Sequence, residues 1–260
     1  MKKEESRFSD SCIFEGLTSI RAVISAGENG ISDRRIDKLL IDKGKQKSKA
    51  KEIGWLRFKS GEMGFGIEFV EAEELDKLTT GSTHGGIIAL CTDRTIPSLG
   101  DSEIKTDGFY ALLEGIEDPY NFGYAIRSLY ACGVDGIVLS PRNWLSAAGV
   151  VCRSSAGASE MLPCFISDGV EGARYFKSCG YKVVCAGIRD SVSSFDCDMT
   201  RPVFLIVGGE KRGISSALLD EADCIVRIDY DRQFGGSLSA ASAASMLAYE
   251  IMKQNKRGRA

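Results

Sequence analysis

From residue 109 onward one pattern recurs: a short apolar run, a turn rich in glycine, then an amphipathic run. The apolar runs cover 109–113, 136–139, 181–185, 202–207 and 224–228. Each has the length and bounding turns of a buried strand rather than a helix. Helical spacing marks 170–179, 215–221 and 238–253. Strands that are apolar on both faces and alternate with helices imply a parallel sheet covered on both sides, so the expected class is α/β.

A smaller α/β pattern precedes it. Leu17, Ile20 and Val23 share a helical face within 14–26. Strands are expected at 36–41, 66–70 and 86–91, a Lys-rich helix at 46–60 and an acidic helix at 71–78. Residues 92–107 carry Pro, Gly, Ser and Thr without periodicity, as an interdomain connection does. The expected organisation is a domain over 1–95, a linker over 96–107 and a second domain over 108–260.

Composition excludes some chemistry. The 260 residues include one histidine, His84, distant in sequence from every glycine-rich loop. A Ser-His-Asp triad or a histidine metal site would have to be built around it, so no metal is expected. Nine cysteines, an odd number without CxxC pairs, point to reduced thiols and a cytoplasmic location. No apolar run approaches the ~18 residues of a membrane span, and no secretory signal is expected. The net charge is −3, yet Arg34, Arg35, Lys38, Lys43, Lys45, Lys47, Lys49, Lys51, Arg57 and Lys59 crowd one stretch. Such a cluster is either a solvated helix face or a phosphate-binding patch.

Three segments carry the candidate chemistry. The first is E-G-I-E-D-P-Y-N-F-G-Y-A-I-R over 114–127. Asp118-Pro119 signals a turn, and Asn121 is expected to cap the helix that Gly133 ends. Gly123 and Arg127 lie one turn apart, so the glycine is expected to leave open space beside the guanidinium. The second is V-G-G-E-K-R-G-I-S over 207–215, which lacks the spacing of a phosphate loop or a dinucleotide fingerprint. The third is G-G-S-L-S-A-A-S-A-A-S over 235–245, where Ser237 or Ser239 can cap a helix of small residues. That helix can take another backbone or a flat ligand at close range.

In this order, D-P-x-N-x-G-x-x-x-R, V-G-G-E-x-x-G and S-L-S resemble the SpoU (TrmH-like) family of RNA ribose 2′-O-methyltransferases. Residues 153–160, R-S-S-A-G-A-S-E, are similar to the segment between that family's first two motifs. The resemblance covers about 108–254. More weakly, the first ninety or so residues resemble the family's RNA-binding domain, which T-H-G-G-I-I-A-L over 83–90 would end. It implies a trefoil-knotted methyltransferase domain after a small α/β RNA-binding domain, S-adenosylmethionine (AdoMet) as cofactor, and a homodimer acting on rRNA or tRNA. Asn121, Arg127, Glu210 and Ser237 match catalytic or site-shaping positions. Gly187, Gly208, Ile228 and Leu238 match cofactor contacts. The family's usual S-L-N and I-P-M read Ser237-Leu238-Ser239 and Ile228-Asp229-Tyr230 here.

The ribose hydroxyl is a poor nucleophile and needs its developing charge stabilised. A guanidinium stays protonated, so Arg127 is expected to act electrostatically, with Asn121 and Glu210 positioning it and the ribose. The resemblance also allows Arg127 a direct role in activating the hydroxyl. Two other readings stay open: an RNA-binding protein on the same scaffold without catalysis, motivated by Ser239, and a small-molecule α/β enzyme.

Overall fold

The computed structural model describes residues 12–79, 84–141 and 147–257. They group into two units, one from Met1–Thr95 with Trp144–Met161, the other from Ile96–Asn143 with Leu162–Ala260. The first half runs β1 (Ile13–Glu15), α1 (Gly16–Glu28), β2 (Ile36–Asp42), α2 (Ala50–Met63), β3 (Gly66–Val70), α3 (Ala72–Leu78), β4 (Ile87–Cys91), β5 (Phe109–Glu114), α4 (Pro119–Ala131) and β6 (Gly136–Leu139). It continues with α5 (Ala148–Ser154), β7 (Cys164–Ile166), α6 (Gly169–Ser178), β8 (Lys182–Ala186), β9 (Val192–Ser193), β10 (Val203–Gly208), α7 (Ser216–Leu219), β11 (Cys224–Arg227) and α8 (Ala240–Arg257). No described helix is long and apolar enough to cross a membrane.

The first unit holds a four-stranded mixed sheet in the order β1-β4-β2-β3. Alternation along its central strands divides the core. Leu39, Ile41, Ile87, Ala89 and Cys91 join a cluster with residues of α1 and α2. Leu40, Ile88 and Leu90 join another with Leu75 of α3. Side chains of a strand point to opposite faces in turn, which is why consecutive residues serve different clusters.

The segment 147–161, expected with the later domain, packs here instead. Cys152 of α5 is buried among Phe14, Ile20 and Ile24. Gly149 lets α5 press on β1, because a Cβ there would lie 1.9 Å from the Ile13 carbonyl oxygen. At the end of the segment Glu160 accepts a 3.1 Å bond from Arg34 Nε, both side chains being 4% exposed. Arg34 also donates to the Thr92 carbonyl at 2.7 Å and lies over the Phe14 ring.

This reduces the free charge of the basic stretch. Arg34 is internal, and Lys38, Lys43 and Lys59 are ion-paired to Glu68, Glu71, and Glu28 with Glu62. Lys45, Lys47 and Lys51 remain exposed, with no ion pair to any described residue. His84 is structural too. Its Nδ1 accepts from the Gly86 amide and its Nε2 lies 3.0 Å from Asp76.

The second unit is a seven-stranded sheet, order β7-β6-β5-β10-β8-β11-β9, parallel at every pairing. One face carries Leu112, Val183, Phe204 and Ile206 against Phe176 of α6 and Leu218 of α7. Phe176 and Phe204 stack with centroids 4.2 Å apart. On the other face α8 packs against β10 and along α4. Small residues let α4 and α8 come close enough for Ser245 to donate to Ser128 at 2.6 Å.

Candidate active site

All the strands of the second sheet run the same way, so the loops after β5, β8, β10 and β11 emerge at one edge. Open parallel sheets bind ligands at this carboxyl edge. A cavity of about 490 Å³ opens there, lined by Ala186–Ile188 after β8, Val207–Glu210 after β10, Val226–Tyr230 after β11, and Phe234, Gly236–Leu238, Ala240 and Ala243 leading into α8. Gly187, Gly208, Ile228 and Leu238 therefore surround one cavity. Glu210 and Ser237 share it.

The glycines of the 207–215 loop are demanded by contact. A Cβ on Gly208 would stand 2.5 Å from the Gly213 carbonyl carbon and 2.6 Å from the Ile214 nitrogen. A Cβ on Gly209 would stand 2.1 Å from the Gly115 carbonyl oxygen. The Gly209 amide donates to the Glu114 carbonyl at 2.7 Å, and the Gly213 amide to the Gly209 carbonyl at 2.9 Å. Glu114 then takes the Ser215 amide and hydroxyl on its two oxygens. The loop is thereby folded back on itself, with Glu210 at its tip.

A smaller cavity of about 120 Å³ adjoins, lined by Gly115–Asp118, Asn121, Glu210, Lys211 and Ala240. Glu210 and Ala240 belong to both. Asn121 Nδ2 donates to Glu210 Oε1 at 3.4 Å, and Lys211 is paired to Glu117 at 2.6 Å. The expected cap is corrected: Asp118, not Asn121, caps α4, accepting the Tyr120 amide at 2.8 Å with Pro119 at the first helical position. Proline lacks the amide that is unpaired there anyway, so the helix starts two residues earlier than Asn121. This releases the Asn121 side chain to reach across to Glu210. Gly133 ends the helix as expected, in the left-handed region, with Gly133 and Val134 amides donating to Tyr130 and Leu129.

Arg127 stands apart. It lines neither cavity, is exposed, and bonds to no described residue. Gly123, one turn before it, is buried in the packed face with Phe122, Ala125 and Ile126. Residues 121 and 127 are six apart, which sets them well over a right angle apart around a helix of 3.6 residues per turn.

Of the two possible caps of α8, Ser239 serves: its Oγ accepts the Ser242 amide at 3.1 Å. Ser237 is exposed in the cavity wall and bonds to no described residue. Asp229, on the rim, is held below the usual carboxylate range by the Ser193 hydroxyl and by Arg227. Burial pushes the Cys185 thiol beneath the cavity up to about 12, so it stays protonated and is no nucleophile. Among the described residues no cluster of His, Cys, Asp and Glu is placed to hold a metal.

Phe234 was not singled out by the motifs, and Asp229 and Tyr230 entered only as a departure from I-P-M. Their signal was position: the loop after β11 had to return to the carboxyl edge before α8 could begin.

Comparison with known proteins places these features in context. The model of the SpoU rRNA Methylase family matches residues 108–249, and that of RNA 2′-O ribose methyltransferase substrate binding matches 16–97. A Bacillus subtilis protein assigned to the TrmH family of tRNA/rRNA methyltransferases is 28% identical over 86% of this chain and 90% of its own. A 23S rRNA (guanosine-2′-O-)-methyltransferase of Shewanella oneidensis is 25% identical over 74% of this chain and 80% of its own. The AdoMet-bound rRNA methyltransferase of Sinorhizobium meliloti has the same fold, with a TM-score of 0.76 at 22% identity, over 93% of this chain and 86% of that one.

Proposed function

Since this chain belongs to the SpoU rRNA methylase family, we propose that it transfers the methyl group of S-adenosylmethionine to a ribose 2′-hydroxyl of rRNA or tRNA. The observation that carries this is the pair of adjoining cavities sharing Glu210: a larger one of cofactor size and a small polar one beside it.

The residues present suit the cofactor. Gly208 and Gly209 bare their backbone, Val207, Ile228 and Leu238 supply apolar surface, and the Asp229 and Glu210 carboxylates suit a cationic ligand. When bound, the cofactor supplies an electrophilic methyl group. Gly187, Gly208, Ile228 and Leu238 hold it, and Ser237 offers a hydroxyl at the wall. Asn121 fixes Glu210 through Oε1. The other oxygen, Oε2, then accepts a hydrogen bond from the ribose hydroxyl, orients it and takes up its proton as the new O–CH3 bond forms. Little else is asked of the chain, because orientation in a fixed site is itself a large part of such a rate.

Arg127 is proposed to contribute a permanent positive charge to the bound RNA and to the oxygen that develops charge. Its exposure on α4 suits a role completed by RNA or by a second copy. Replacing it with alanine is expected to lower methyl transfer about tenfold or more, while calorimetric affinity for S-adenosylmethionine stays at the wild-type value. Near-normal transfer by a folded Arg127→Ala protein would exclude the role.

RNA is proposed to dock on residues 1–95 through Lys45, Lys47 and Lys51, which are exposed and unopposed among the described residues. Lys47→Glu with Lys51→Glu is expected to weaken RNA binding and flatten its salt dependence, by roughly one unit of log–log slope for each phosphate no longer neutralised. Equal salt slopes for the two proteins would move the RNA surface elsewhere. Residues 108–260, apart from the 147–161 segment that packs in the first unit, are proposed as the catalytic domain, with its chain threaded in a trefoil knot. A homodimer is supported by exposed apolar side chains on and near α4 and α8, including Tyr124, Phe195, Met246 and Tyr249. Thiol cysteines such as Cys185 suit a reducing, cytoplasmic setting. Serine and asparagine are both good caps, so Ser239 fills the capping role that an asparagine would fill there.

A further inference from the structure

The loop from Ile228 to Leu238 departs from the family's usual I-P-M sequence, and it brings two aromatic rings to the large cavity. Tyr230 and Phe234 both line it, and they are 40% and 60% exposed. A phenylalanine that lies mostly in solvent at a cavity mouth leaves a ring face for something flat to cover.

Three contacts hold the rings where they are. The Tyr230 hydroxyl accepts the Leu238 amide at 3.1 Å, tying the start of the loop to its end. The rings meet each other with centroids 5.9 Å apart and planes at 60°. Phe234 also folds over Gly236, where a Cβ would come within 2.7 Å of the ring. Gly236 thus leaves room for the ring to fold back. The interior of the same cavity offers backbone at Gly187 and Gly208 and apolar surface at Ile228 and Leu238.

We propose that Tyr230 and Phe234 form a stacking wall for a planar nucleobase, a specificity-determining part of the site. The proposal rests on the methyltransferase reading for its choice of ligand, and two bases fit that chemistry: the adenine of the cofactor and the base of the target nucleotide. Every base has a π-face, and replacing its aromatic partner with alanine costs about 5- to 150-fold in affinity. Tyr230 has a second task. Its hydroxyl occupies the Leu238 amide, so it positions the loop as well as offering a ring.

The test is calorimetric titration of the full chain with adenosine, with S-adenosylmethionine and with RNA, comparing wild type, Phe234→Ala and Tyr230→Phe. Phe234 is exposed, so its loss is expected to leave the thermal midpoint unchanged; Phe234→Leu, which keeps apolar bulk but not the ring, separates stacking from packing. Adenosine and S-adenosylmethionine weakened about tenfold or more in Phe234→Ala and Phe234→Leu, with RNA unaffected, assigns the wall to the cofactor's adenine. RNA weakened with both small ligands unaffected assigns it to the target base. Tyr230→Phe keeps the ring and is expected to weaken the same ligand by less than Phe234→Ala. If all three probes bind both Phe234 variants as they bind wild type, the stacking wall is refuted. If wild type binds adenosine in a Phe234-dependent way but no S-adenosylmethionine, the wall stands and the methyl-donor reading falls. Wild type that binds none of the three overturns both.

Discussion

Alanine at Gly209 is expected to destabilise the second unit by about 2–3 kcal/mol and to abolish binding of S-adenosylmethionine. The added Cβ would lie 2.1 Å from the Gly115 carbonyl oxygen and 2.5 Å from its carbon. Both are backbone atoms, so no side-chain rotation relieves the clash. The Gly209 amide is bonded to the Glu114 carbonyl, which pins the residue from the same side. Relief requires the loop after β10 to lift away from the loop after β5, and those two loops share the walls around Glu210. Gly235→Ala is the control, since a Cβ there meets nothing within 4 Å. Chemical denaturation and calorimetry on both variants check the expectation. Wild-type stability and affinity in Gly209→Ala would show that the loops are not packed as described.

The second large effect is expected from Glu160→Ala, a loss of about 3–5 kcal/mol. Glu160 and Arg34 are almost wholly buried and bonded at 3.1 Å. Removing the carboxylate leaves a guanidinium without its counter-charge away from water. Its remaining bond to the Thr92 carbonyl and its contact with Phe14 do not neutralise it. Breaking a buried pair is costly because of the charge left behind, not because the pair itself is strong. Replacing both residues with apolar side chains of similar volume, Arg34→Met with Glu160→Leu, is therefore expected to recover most of the loss. Urea denaturation of the single and double variants distinguishes this from a simple packing defect, in which the double variant is the less stable.

The sheet of the second unit was legible because its strands are apolar throughout and end in glycine or turn residues. Strand 136–139 was placed to the residue, and 109–113 and 202–207 to within one at each end. Strands β1, β7 and β9 were not foreseen: with three, three and two residues, they are too short for alternation to register. The cap of α4 was misread because Asp118 and Asn121 both carry acceptors, and only Pro119 between them decides. The basic stretch could not be sorted by sequence, since Arg34 finds its counter-charge 126 residues away. Gly123 and Arg127 share a helical spacing, but spacing alone does not reveal that the first is buried and the second exposed. The cofactor positions came from the resemblance, whereas Tyr230 and Phe234 lie in a loop with no periodicity to mark them.

The most direct test is transfer of labelled methyl from S-adenosylmethionine to RNA, followed by digestion to nucleosides. Wild-type protein is expected to place label on the ribose 2′-oxygen, recovered as 2′-O-methyl nucleoside and as alkali-resistant dinucleotide, with the yield falling in Arg127→Ala. Label on a base, or tight binding of both S-adenosylmethionine and RNA with no transfer to any rRNA or tRNA, would contradict the account.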